Sequence, residues 1–101
     1  MADLIQLYSD TYESADGVVY DIRACGEGKT DGSWEGWLEF HPIDQTLQPL
    51  RTGRETFQAT RFALARWASG LDRNDFDGAF HRILPVTELS RTSLTIPDRI
   101  A

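Results

Sequence analysis

The chain has a single cysteine, Cys25, in 101 residues. That excludes an internal disulfide and any cysteine-rich zinc cluster, and it fits a reducing compartment. Long apolar runs are missing, so no membrane-spanning helix is expected. The opening residues MADLIQLYSD have neither a basic region nor an apolar core, so no secretory signal is expected. A soluble, cytoplasmic protein is the expectation that follows. Gly26-x-Gly28 and Asp31-Gly32 lack the spacing, the third glycine and the following helix of a phosphate loop. His-x-His, Glu-x-x-His and Cys-x-x-Cys spacings are absent too, and no metal or other cofactor is expected.

Positive charge is scarce. The net charge of −6 makes the chain acidic, which argues against broad affinity for nucleic acid or an anionic membrane. The balance is uneven along the chain. Residues 1–50 hold ten acids against Arg23 and Lys29, and residues 51–101 hold six acids against eight arginines. Either the two halves neutralise each other when packed, or the second half offers a basic face to an acidic partner.

The composition is otherwise that of a globular protein, with 41% hydrophobic and 26% charged residues. The length suits one domain, residues 1–101. Residues 4–12 read as a strand, and Ser14 to Gly17 as a turn ending in Asp-Gly. Residues 18–25 alternate, with Val18, Tyr20, Ile22 and Ala24 on one face and Val19, Asp21, Arg23 and Cys25 on the other. Residues 34–41 alternate again: Trp34, Gly36, Leu38 and Phe40 against Glu35, Trp37, Glu39 and His41. Gly26 to Ser33 reads as a flexible connection in this antiparallel hairpin, and Pro42 ends it. Leu47 to Leu50 suggests a short further strand.

Thr52-Gly53-Arg54-Glu55 matches a capping box, with Thr56 as an alternative helix start. The helix runs to Gly70, a left-handed stop, and sets Phe57, Leu64, Trp67, Ala68 and Leu71 on one side. Asp72-Arg73-Asn74 offers caps for a second helix carrying Phe76, Ala79, Phe80 and Ile83, stopped by Pro85. Residues 86–101 suggest an edge strand or a packed tail. The fold class is therefore α+β: an antiparallel sheet of three or four strands with two helices on one face, in the order β-β-β-(β)-α-α.

The strand hairpin followed by a helix opening Thr52-x-x-Glu55-Thr56 resembles the HicB-type antitoxin domain over about residues 18–71. The Leu-Pro-Gly-type segment of that family is absent between second strand and helix. The resemblance implies a protein-binding role and no site residue.

Three sets of residues invite a functional reading. Cys25 and His41 share a face with Asp21, Glu35 and Glu39, which would suit a nucleophile and base or a small-ligand site. A buried cysteine and a strand-end histidine is the plainer alternative. Arg54, Arg61 and Arg66, with Gln58, would line a helix flank able to hold an anion or nucleic acid; aromatics are not interleaved with them, and a solvated flank is the alternative. Finally, Trp37 lies on the acidic face of the hairpin and Phe62 opposite the apolar stripe of the long helix. Such aromatics mark a binding surface unless the chain covers them itself. The expected surface comprises Trp37, Glu35, Glu39, Phe62 and Arg66, and the expected partner is another protein or, most simply, a second copy of the chain.

Overall fold

In the computed structural model, residues 2–83 are described. Strand β1 spans Asp3–Glu13, β2 Val19–Gly28 and β3 Trp34–Pro42. Short strands β4 (Leu50–Arg51) and β5 (Thr56–Gln58) follow, then helix α1 (Arg61–Ser69). A second helix, α2, occupies residues 73–83. The sheet is antiparallel in the order β1-β2-β3-β4, and β5 pairs with β3 beyond β4. This is the α+β class that the alternation and the helical stripe predict. The strand or tail expected over residues 86–101, and the stop at Pro85, lie outside the described residues.

Both hairpins close with the same five-residue loop. The Ser14 N–H donates to Val18 O and the Gly17 N–H to Ser14 O, each at 2.9 Å. In the second loop the Lys29 N–H donates to Ser33 O (2.7 Å) and the Gly32 N–H to Lys29 O (3.0 Å). Each loop contains Asp-Gly, and the glycines have φ of +87° and +90°. A turn that ends in the left-handed region needs a residue without a Cβ, which Gly17 and Gly32 supply. The connection is shorter than the sequence suggests: β2 runs through Gly28, and only 29–33 turn.

Gly26 extends β2 for a packing reason. Gly26 and Gly36 are cross-strand partners, and Leu64 of α1 sits on them. A Cβ at Gly26 would lie 2.3 Å from Leu64 Cδ2, and one at Gly36 2.5 Å from Leu64 Cδ1. The bare pair lets α1 close onto the sheet. Leu64 and Ala68 are fully buried there. Further along the same face, Tyr20, Ile22, Ala24, Leu38 and Phe40 meet Phe76, Ala79 and Phe80 of α2. Phe80 packs 5.2 Å from Phe40 and 4.6 Å from Tyr12 between ring centres. Asp72 and Asp75 cap α2 reciprocally, each carboxylate accepting the other's backbone N–H at 3.1 and 2.9 Å.

The first helix starts eight residues later than the capping box implies. Thr52 N–H donates to Leu38 O (2.9 Å), Thr52 Oγ1 accepts Leu38 N–H (3.0 Å), and Glu55 N–H donates to Gly36 O (2.8 Å). Residues 50–58 thus satisfy the second edge of β3, with a hydroxyl replacing one carbonyl of the ladder. Long-range pairing overrides the local capping signal. Glu55 instead accepts from Arg82 of α2. The true N-cap is Thr60, whose Oγ1 accepts Ala63 N–H at 3.0 Å. Gly70 closes α1 at φ −91°, ψ −3°, not in the left-handed region. Phe57, expected on the buried side of that helix, is in β5 and 54% exposed. Residues 52–56 of the HicB-type resemblance therefore run along the edge of β3 from the end of β4 into β5 and start no helix.

Candidate functional site

The helices cover one face of the sheet. The register builds the other face in rows. Leu4, Cys25 and Trp37 form one row across β1, β2 and β3. Leu7, Arg23, Glu39 and Arg51 form the next, and Thr11, Asp21 and His41 the one after. On the far side of the first row lie Glu27, Glu35 and Phe57.

Trp37 is the centre of this face and is only 2% exposed. Its chain covers it: the Arg51 guanidinium carbon lies 3.9 Å from the ring centre, and Cys25 is its cross-strand neighbour. Its indole N–H donates to Glu39 Oε2 at 2.9 Å. Glu39 Oε1 meets His41 Nε2 at 2.7 Å. Burial alone would raise the Glu39 pKa; hydrogen bonds from Trp37, His41 and Cys25 outweigh it and hold the carboxyl below its usual range. The same surroundings push the Cys25 thiol up to about 11, through burial first and then the Glu39 charge.

Cys25 and His41 therefore meet one carboxylate but not each other. Asp21, the partner of His41, is four positions from Cys25 along β2, about 13 Å at ~3.3 Å per residue. A protonated thiol remote from its base is not an activated nucleophile. The arginine flank is not formed either. Arg54 lies between β4 and β5, 4.0 Å from Glu35, because residues 50–58 pair with β3. Arg61 opens α1, 3.7 Å from Asp3, and Arg66 is exposed in its last turn. Glu35 is half-buried and takes Lys29 Nζ at 3.1 Å.

Phe62 stands out from α1 at 74% exposure. Three other exposed apolar side chains share the helix-free face: Leu4 (54%), Leu7 (58%) and Phe57. The sequence hides Leu4 and Leu7 because β1 has irregular register on both sides of the segment from Gln6 to Leu7, so period-2 alternation fails there. From the sequence Arg23 reads only as a charge in a strand and Arg51 as a charge beside the flank of the long helix; their places beside Glu39 and over Trp37 come from the register.

Among the described residues, no group of three His, Cys, Asp or Glu side chains could hold a metal ion, and no helix is long and apolar enough to cross a membrane. No family model, curated protein or solved structure matches the chain.

Proposed function

We propose that this protein is a non-enzymatic interaction module that self-associates through the helix-free face of its sheet. The observation that carries the reading is the placement of Leu4, Leu7 and Phe57. All three are more than half exposed on that face, on opposite margins of a buried centre. Large apolar side chains exposed together on one face are what an interface covers. Trp37 is the floor of this surface instead of its anchor. Glu35 and Glu39 lie between the margins, while Phe62 and Arg66 of α1 lie outside it.

A second copy suits the arrangement. A two-fold axis parallel to the strands would lay the β1 margin of one copy over the β5 margin of the other, matching Leu4 and Leu7 with Phe57. Sedimentation velocity tests this with Leu4→Ser/Leu7→Ser and with Phe57→Ser. Each is expected to shift a concentration-dependent dimer to monomer while the melting curve stays close to wild type. A wild type that sediments as a monomer at every concentration overturns the reading.

A further inference from the structure

At the end of the helix-free face away from Phe57, the sheet meets the loop after β3. Arg23 lies in the middle of β2, directly opposite Glu39. A guanidinium facing a carboxylate across a strand pair ordinarily binds it. Here the carboxylate is already committed, with Oε2 on Trp37 and Oε1 on His41. The Arg23 Nε is buried and has no hydrogen-bond partner among the described residues. Buried donors in folded chains are nearly always paired. The Nε is closed to solvent, so an acceptor in the neighbouring cleft would meet the outer nitrogens of this guanidinium, which has no ion-pair partner among the described residues.

The Arg23 side chain lines a cleft of about 420 Å³ together with Asp21, His41, Ile43, Gln45 and Leu47. The volume is that of a small-molecule site, with polar groups from Asp21, Arg23, His41 and Gln45 on one part of the lining and apolar surface from Ile43 and Leu47 on the other. We propose that the cleft binds a small organic monocarboxylate with an aliphatic body and a hydroxyl or ammonium next to the carboxylate. The carboxylate accepts from the Arg23 guanidinium, whose planar donors match two oxygens. The neighbouring donor group meets Asp21, the cross-strand partner of His41. The aliphatic body lies on Ile43 and Leu47, which are 56% and 43% exposed without it. Asp21 also sets selectivity: a second negative charge beside it is repelled, so inorganic phosphate is a poor ligand. His41 stays tied to Glu39 through Nε2 and forms the wall between cleft and Trp37.

The test is an NMR titration of the full chain with 2-hydroxy-4-methylpentanoate, its neutral amide and inorganic phosphate. The signals followed are the arginine Nε–H groups and the backbone amides of 43–47. The acid is expected to move the Arg23 Nε–H and the loop amides saturably, with the amide and phosphate at least about tenfold weaker. Arg23→Lys should weaken binding about tenfold by losing the paired donors. Leu47→Ala, on an exposed loop, should weaken it severalfold with the rest of the spectrum unchanged. An Arg23 signal that does not move, or equal binding of acid and amide, or phosphate binding as tightly as the acid, overturns the proposal.

Discussion

The two faces of the sheet come from alternate residues of the same strands, yet they are closed by different forces. Towards the helices, Tyr20, Ile22, Ala24, Leu38 and Phe40 pack against Ala68, Phe76, Ala79 and Phe80. Apolar area removed from water is the main stabilising term there, and Leu64 on the glycine pair sets how close the helix comes. On the opposite face, Trp37 is as deeply buried as Phe40, but its surroundings are Arg51, Cys25 and Glu39. Directed bonds hold that centre, and Leu4, Leu7 and Phe57 stay exposed around it. The first face is finished within the described chain. The second is finished only at its middle, and the proposed interaction surface rests on this difference.

Substitutions on the two faces should therefore fail differently. The largest loss is expected for Phe40→Ala, which leaves a cavity beneath Phe80 and Tyr20: about 3–5 kcal/mol in a denaturant melt. A loss below 1 kcal/mol would mean that the helices are not tightly docked. Gly36→Ala should cost about 1–3 kcal/mol by driving a methyl into Leu64 and Thr56. In a double-mutant cycle with Leu64→Ala, the pair should cost less than the sum of the single changes. Additive costs would remove the close approach from the account.

On the other face, Trp37→Phe keeps much of the volume and removes the N–H from Glu39. A loss of about 1.5–3 kcal/mol is expected, the range for hydrogen bonds to a charged group. Carboxyl NMR titration should show the Glu39 pKa rising towards 4.5, the ordinary value for its carboxyl. An unchanged titration would separate Glu39 from the tryptophan.

The pH profile carries the same contrast. Because the Glu39 pKa is depressed in the fold, its contribution is present above its ordinary value and is lost as pH falls through the lower, folded value. Cys25, raised from 9.0 to about 11, works in the opposite sense, with its contribution lost as pH rises through that interval. Tyr8 and Tyr12, raised from 10.0 to about 12 chiefly by burial, do the same at the helix-covered side. The Cys25 thiol should accordingly react slowly with a disulfide reagent at pH 8, and a fast reaction would contradict its burial beside Glu39.

Much of the scaffold is legible in the sequence because its signals are local. The alternation of 18–25 and 34–41, the Asp-Gly turns and the stripe from Phe76 to Ile83 each depend on neighbouring residues. Three features are not legible, and each depends on pairing across the chain. Thr52-x-x-Glu55 carries a helix signal that the open edge of β3 overrides. Trp37 breaks the inside–outside pattern, but its cover, Arg51, is brought over it by the short strand β4. Leu4 and Leu7 share a face only because the register of β1 shifts. The proposed surface lies on the outer face of the hairpin, where Trp37 is buried and the exposed apolar side chains are the marginal Leu4, Leu7 and Phe57.

The most direct test is sedimentation velocity over a range of concentrations on wild type and Leu4→Ser/Leu7→Ser, with thermal melts of both. The account predicts a wild-type dimer that dissociates on dilution. The double variant should be monomeric at every concentration, with stability changed by no more than about 1 kcal/mol. A monomeric wild type, or a dimer that survives in the variant, would contradict the assignment of the helix-free face as the self-association surface.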